Sequence, residues 1–355
     1  MSDLLARTAQ LVAVASESHH ERELTDLIEA ELRDRAPWLV VDRVGDNLVA
    51  RTMLSRPLRL VIAGHTDTVP INGNHPGHID GDVLWGCGAS DMKSGLAVML
   101  ELACTVERPA VDVSFVFYEA EEVAAVHNGL GRLFAERPDL VAGDVALLGE
   151  PTDAAIEAGC QGTMRVEVTY AGVRAHTARP WMGVNAIHRL GAALARLDSY
   201  ESRQPTIEGC TYREAMQAVR VDGGVASNVV PDRATLTVNH RFAPDRTPAQ
   251  AEASVRSLVL PDPRDGDMFT VVDVASAAAP AMGHPLLAAL VSRHALEVRA
   301  KLGWTDVARF AAHGIPAANF GPGDPTLAHT KDERVHRAPI ERTFAALDEL
   351  VRRGP

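Results

Sequence analysis

The residues of this chain best suited to chemistry are carboxylates and histidines standing at the ends of short apolar runs. His65 and Asp67 follow Leu58-Arg-Leu-Val-Ile-Ala63, Glu121 and Glu122 follow Val111-Asp-Val-Ser-Phe-Val-Phe-Tyr118, and Glu150 follows Asp144-Val-Ala-Leu-Leu-Gly149. Asp91 precedes Ser94-Gly-Leu-Ala-Val-Met-Leu-Glu-Leu-Ala103, which is almost wholly apolar. A bare carboxylate beside such segments costs roughly several kcal/mol unless it is paired or bound to a cation. No matching set of basic residues lies nearby in the sequence. Taken singly, each residue has an ordinary reading. His65 could be a surface or capping residue, Asp91 a helix N-cap, Glu121-Glu122 a solvated loop and Glu150-Pro151 a turn. Their joint occurrence at successive strand ends favours a site for multivalent metal ions.

The elements that must position them read as follows. The chain to about Leu39 has apolar residues at helical spacing, with Leu24, Leu27, Ile28 and Leu32 among charges. Residues 47–51, 58–63, 111–118 and 144–149 read as strands, and 94–103 as a buried helix. Strand and helix alternation implies an α/β fold with a mostly parallel sheet covered by helices. In such sheets, function gathers at the carboxyl ends of the strands. From Thr163 the pattern changes to apolar–polar alternation, as in Met164-Arg-Val-Glu-Val-Thr-Tyr170. A helix over 185–197, strands over 218–221 and 234–241, a helix over 248–258 and a strand over 269–274 complete a β-α-β-β-α-β order. That order suggests an inserted α+β ferredoxin-like domain. The expected division is 1–162 and 279–355 for a discontinuous catalytic domain, with 163–278 as the insert. A helix over 340–350 closes the chain.

The bulk properties narrow the function classes. A length of 355 residues favours two domains. A formal charge of −12 argues against nucleic acid, which favours a basic face. The longest apolar runs are too short to cross a bilayer, and the first residues lack an apolar signal core, so no membrane partner and a cytoplasmic location are expected. Cys87, Cys104, Cys160 and Cys210 are far apart and fit buried, reduced thiols.

The motifs Gly64-His-Thr-Asp-Thr-Val-Pro70, Trp85-Gly-Cys-Gly-Ala-Ser-Asp-Met-Lys-Ser-Gly95, Glu119-Ala-Glu-Glu122, Gly149-Glu-Pro-Thr152 and the late His329 together resemble the M20 family of dinuclear zinc peptidases and deacylases. Gly86-Cys-Gly-Ala-Ser-Asp-Met-Lys-Ser-Gly95 and Glu157-Ala-Gly-Cys-Gln-Gly-Thr163 are most similar to its actinobacterial members that hydrolyse N-succinyl-LL-2,6-diaminopimelate to succinate and LL-2,6-diaminopimelate.

This resemblance implies two zinc ions per chain, replaceable by cobalt or manganese. His65, Asp91 and Glu150 would bind one, and Asp91, Glu122 and His329 the other, with Asp91 as the bridge. Glu121 would be the general base toward a zinc-activated water. Asp67 would orient His65, which its two-residue spacing allows. The insert would act as a lid and dimerisation domain, with His176 of Gly172-Val-Arg-Ala-His176-Thr-Ala-Arg179 reaching the active site of a partner subunit in a homodimer. Asn228, Arg241, Arg179, Thr163 and the Gly321-Pro-Gly323 loop would contact an N-acyl amino acid, Arg241 by gripping a carboxylate. One departure stands out. Cys160-Gln161-Gly162 occupies the place where many other desuccinylases carry Arg-Arg-Gly. The rival readings are another amidohydrolase of the family, such as an acetylornithine deacetylase or a dipeptidase, and a non-catalytic binding protein. Retention of Glu121 and of every ligand position speaks against the latter.

Overall fold

The computed structural model describes residues 3–355. The chain divides into two compact units. One comprises the chain up to Ala158 together with Pro280–Arg299 and Arg309–Pro355; the other comprises Gly159–Ala279 and Ala300–Ala308.

The first unit is a mixed α/β layer built on an eight-stranded sheet. Its spatial order is Val40–Val44, Asn47–Arg51, Asp112–Tyr118, Arg59–His65, Val145–Leu148, Ala317–Asn319, Ile156–Ala158 and Val298–Ala300. The four central strands, from Asp112–Tyr118 to Ala317–Asn319, run parallel to one another. They are short and apolar because both faces are covered, as a parallel interior requires. Every residue of Asp112–Tyr118 and of Val145–Leu148 is buried. Antiparallel strands flank this core on both sides. Val40–Val44 pairs back on Asn47–Arg51 through a tight turn in which Gly45 adopts a φ of +66°, a conformation that costs glycine little.

The helix Ser94–Thr105 is buried along all but its last residue. Leu4–Val12 and Arg337–Arg353 pack against it. The expected single helix to Leu39 is in fact two, Leu4–Val12 and Arg22–Arg35. The break between them is held to the segment after His65, Ser16 Oγ donating to Thr66 O at 2.7 Å and Ser18 N to Thr68 O at 3.1 Å. Periodicity alone hides this break, because its residues satisfy a distant loop instead of continuing a helix.

The second unit contains Gly162–Ala171, Ala186–Asp198, Ala215–Gly223, Arg233–Phe242, Pro248–Val259 and Met268–Ala275 in β-α-β-β-α-β order. Its sheet is antiparallel, in the spatial order Ala215–Gly223, Arg233–Phe242, Gly162–Ala171, Met268–Ala275. Met164, Val166, Val168 and Tyr170 alternate inward and meet Leu190, Ala193 and Val255 of the two helices. Asn185 caps the first helix, and Thr247 with Gln250 forms a capping box on the second. Residues 300–308, which the sequence reading left with the first unit, group with this one. Trp304 Nε1 donates to Ser276 O at 3.2 Å, and Gln161 N to Lys301 O at 3.2 Å. Among the described residues no helix is long and apolar enough to cross a membrane.

Gly95 shows how tightly the buried helix meets the sheet. A Cβ at this position would lie 2.3 Å from the carbonyl oxygen of Gly149 and 2.9 Å from Met92 Cε. Helix propensity alone would favour alanine here by about 1 kcal/mol. The contact is with backbone and cannot yield, so Gly95→Ala should instead lower stability by about 1–3 kcal/mol. Urea denaturation should show a lower midpoint at an unchanged slope. An unchanged or raised midpoint would contradict the packing described.

Candidate metal centre

Three adjacent parallel strands deliver the acidic and imidazole groups to one edge of the central sheet. Arg59–His65 ends on His65 itself, in register with Tyr118 of the neighbouring strand. That strand runs on into Glu121 and Glu122. Val145–Leu148, in register with the other side, leads directly to Glu150. Asp91 arrives differently. The helix Ser94–Thr105 has Lys93 as its N-cap, and Asp91 lies before it in non-helical backbone, φ −116° and ψ 95°. The N-cap reading of Asp91 is therefore incorrect. Its side chain faces histidines, not helix amides. His329 comes from a loop and has a φ of +63°.

The donors converge in two triads. Ligand atoms of His65, Asp91 and Glu150 lie within 4.8 Å of one another, and so do those of Asp91, Glu122 and His329. Asp91 belongs to both. Its Oδ1 is 3.1 Å from His65 Nε2, and its Oδ2 is 3.5 Å from His329 Nε2. Glu122 Oε1 lies 2.8 Å from His329 Nε2. A third group joins His65, Glu121 and Glu122 within the same limit, so the Glu121 carboxylate borders the triads.

The electrostatics follow from this crowding. Burial opposes a charge on His65, yet the Asp67 and Asp91 carboxylates hold it well above the ordinary imidazole value. The Asp91 and Glu122 carboxylates hold His329 up to about 10. Burial pushes Asp91 up, but His329 and His65 outweigh it and hold the carboxyl well below the usual range. Each Nε2 thus sits where positive charge is strongly favoured. A divalent cation bound by one nitrogen and two carboxylate oxygens meets that demand. The mixed N/O donor set suits zinc and tolerates cobalt or manganese.

Buried groups fix the ligands from behind. His65 Nδ1 lies 3.0 Å from the carbonyl oxygen of Asp67 and so carries the proton, which leaves Nε2 facing the site. The Asp67 carboxylate does something the sequence did not reveal. Its Oδ1 accepts from Glu121 N at 3.0 Å, and its Oδ2 from Glu122 N at 3.0 Å and Ser18 Oγ at 2.7 Å. Its contact with the imidazole is longer, 3.4 Å to Nδ1. Glu21 accepts from Ala120 N at 3.1 Å. Burial draws the Lys93 ammonium down to about 8, and its Nζ donates to Val14 O at 2.7 Å. Glu333, also missed, is 2% exposed and accepts from the amides of Gly88, Ser90 and Asp91, each at 3.0 Å. Its only sequence signal is a position four residues after His329.

The other candidates are distributed over the two units. Gly321 lies in the first, where a Cβ would meet the carbonyl oxygens of Gly149 and Glu150 at 2.3 and 2.4 Å. Thr163, His176, Arg179, Asn228 and Arg241 lie in the second. There Arg241 is the cross-strand partner of Thr163. Its guanidinium is half-buried, burial pulls it down from its ordinary value, and no carboxylate pairs with it among the described residues. His176 and Asn228 are neighbours: Thr177 N donates to Asn228 O at 3.0 Å, and Arg179 N to His176 O at 2.8 Å. His176 is exposed and its Nδ1 accepts from Ala178 N at 3.0 Å. The neutral ring therefore carries its proton on Nε2, as an outward-facing donor.

The chain is similar to known proteins along nearly its whole length. Residues 61–353 match the peptidase family M20/M25/M40. A Mycobacterium tuberculosis protein provisionally named as a succinyl-diaminopimelate desuccinylase is 51% identical over 352 residues, covering 99% of this chain and 97% of the relative. The succinyl-diaminopimelate desuccinylase of Corynebacterium glutamicum is 43% identical over 347 residues, covering 96% and 93%. The crystal structure of aminopeptidase PepT from Bacillus cereus shares the fold, with a TM-score of 0.80 at 20% identity and coverage of 99% and 97%. With the family match spanning His65, Asp91, Glu122, Glu150 and His329 and most of the chain, this protein belongs to peptidase family M20/M25/M40.

Proposed function

We propose that this protein hydrolyses the amide bond of N-succinyl-LL-2,6-diaminopimelate, releasing succinate and LL-2,6-diaminopimelate, with two zinc ions held by the two triads. The observation that carries the reaction class is the Asp91 carboxylate, whose two oxygens face the Nε2 atoms of two different histidines at 3.1 and 3.5 Å. The choice of acyl group rests on the whole-length similarity to the Mycobacterium and Corynebacterium relatives. The four cysteines are free and buried, in keeping with a reducing cytoplasm.

When bound, the ions supply Lewis acidity that lowers the pKa of a water toward about 7 and polarises the amide carbonyl. The remaining steps fall to the chain. Glu121 accepts a proton from the attacking water and passes it to the amine nitrogen as the C–N bond breaks. Asp67 fixes the backbone that carries Glu121 and Glu122 by accepting from both amides, one on each oxygen. Arg241, with Thr163 as its cross-strand partner and Asn228 and Arg179 in the same unit, pairs with a substrate carboxylate. Its half-buried guanidinium without a protein partner among the described residues supports that role.

The second unit is assigned as a ferredoxin-like lid and dimerisation domain. Its edge strand Ala215–Gly223 leaves Val219 and Val221 57% and 50% exposed, and an apolar unpaired edge invites a second copy. In the homodimer His176 of the partner subunit donates an Nε2–H hydrogen bond to the developing oxyanion.

Two experiments test this reading. In kinetic assays N-succinyl-LL-2,6-diaminopimelate should exceed N-acetylornithine and dipeptides in kcat/KM by roughly 10- to 100-fold, the worth of one charged hydrogen-bonded pair. Comparable values would refute the acyl assignment while leaving the reaction class intact. In the second, Glu121→Gln should keep its metal and lose turnover by about 10² to 10⁴. His176→Ala should also be nearly inactive, and mixed dimers of the two variants should regain activity. One site of such a dimer has its own Glu121 and a partner His176. Heterodimers as dead as both parents would show that His176 does not act across subunits.

A further inference from the structure

Glu333 lies outside both triads, yet its surroundings are unusual for a carboxylate. It is buried, and three consecutive-loop amides point at it: Gly88 N meets Oε2, while Ser90 N and Asp91 N share Oε1, all at 3.0 Å. Its own main chain joins the same loop, Gly86 N donating to Glu333 O at 3.0 Å. Around it Ser90 Oγ donates to Arg334 O at 2.8 Å and accepts from Asp324 N at 3.1 Å. A Cβ on Gly323 would lie 2.3 Å from Ser90 O, so the loops are pressed together. The segment carrying His329 is therefore stitched to the segment carrying Asp91, with Glu333 as the principal acceptor.

The two triads depend on this stitch unequally. His65 and Glu150 are 1% and 5% exposed and sit at the ends of central strands, which fix them through the sheet. His329 is exposed, on a loop, four residues before Glu333. Removing the carboxylate would leave three amides without their acceptor, a penalty the loop escapes only by shifting. Asp91 is shared by both triads, but the shift disturbs the second most, because His329 lies on the same stitched loops while His65 and Glu150 stay fixed by the sheet.

We propose that Glu333 is a positioning residue that sets the distance between Asp91 and His329, and so selectively secures the metal ion shared by Asp91, Glu122 and His329. This rests on the two-metal reading above. The test is a titration of apo protein with zinc against a chromophoric chelator, repeated with cobalt and followed by its visible absorption. The second equivalent should bind about 10- to 100-fold more weakly in Glu333→Ala, as for other partners behind a metal ligand, while the first changes far less. Glu333→Gln should recover part of the loss, because its amide oxygen can still accept from Ser90 and Asp91. Ser90→Ala, which keeps the backbone amide but removes the hydroxyl link, should weaken the second equivalent in the same direction by a smaller factor. In the apo protein, hydrogen exchange of the Gly88, Ser90 and Asp91 amides should speed up in Glu333→Ala. Folded variants that bind both equivalents as the parent does would overturn the assignment. A parent protein that binds no second equivalent would instead overturn the two-metal reading, and this inference with it.

Discussion

Each oxygen of the Asp91 carboxylate faces the Nε2 of a different histidine, and around that one side chain the chain gathers Glu122, Glu150, Glu121 and Asp67. Two like charges about 4 Å apart repel by roughly 1 kcal/mol in water and about 4 kcal/mol at the effective dielectric near a protein surface. Several such pairs coexist here, so the arrangement requires positive charge at its centre. Lys93 stands behind it and the imidazoles line it, but both histidines are themselves held toward the charged form by the same carboxylates. On the reading proposed above, divalent ions held by the two triads would supply that charge to Asp91, Glu122, Glu150, His65 and His329. Most of the first unit can be understood as the scaffold that keeps this electrostatically unfavourable cluster in place.

The scaffold works in two ways. The interior parallel strands are buried on both faces, so the positions of His65 and Glu150 inherit the rigidity of the sheet. The loops that carry the remaining groups are held by buried carboxylates acting as acceptors for backbone amides. Asp67 holds Glu121 and Glu122, Glu21 holds Ala120, and Glu333 holds the approach to Asp91. Burying acids to anchor acids is costly unless hydrogen bonds satisfy the lone pairs, and here backbone N–H groups do so.

Much of this was legible in the sequence, for identifiable reasons. The interior strands announce themselves as apolar runs, and a ligand directly after such a run can only lie at a strand end. The alternation in Met164–Tyr170 and the β-α-β-β-α-β order are visible because one face of that sheet is packed on helices and the other is not. What stayed hidden depends on contacts between distant residues. The break between Leu4–Val12 and Arg22–Arg35 is set by Thr66 and Thr68, some fifty residues on. Glu333 looks like any charged residue in Thr330-Lys-Asp-Glu-Arg334 until the fold brings it to Ser90, over 240 residues away. Asp91 reads locally as a cap because it stands just before a helix, and only the tertiary structure turns its side chain toward His65 and His329. Short strands such as Val83–Trp85 and Arg334–His336 are too brief to carry a period.

On the proposed reading the second unit would contribute recognition, through groups left available. Arg241 has no carboxylate partner among the described residues, and His176 presents a protonated Nε2 outward. Neither matters unless the metal pair exists as described. The most direct measurement is therefore the metal content of dialysed protein, by elemental analysis, in the parent and in Asp91→Ala, Glu150→Ala and His329→Ala. Because Asp91 alone belongs to both triads, the account predicts two ions per chain in the parent, close to one in each of the other two variants, and loss of both in Asp91→Ala. A parent with no tightly held divalent metal, or an Asp91→Ala variant that keeps both ions, would contradict it.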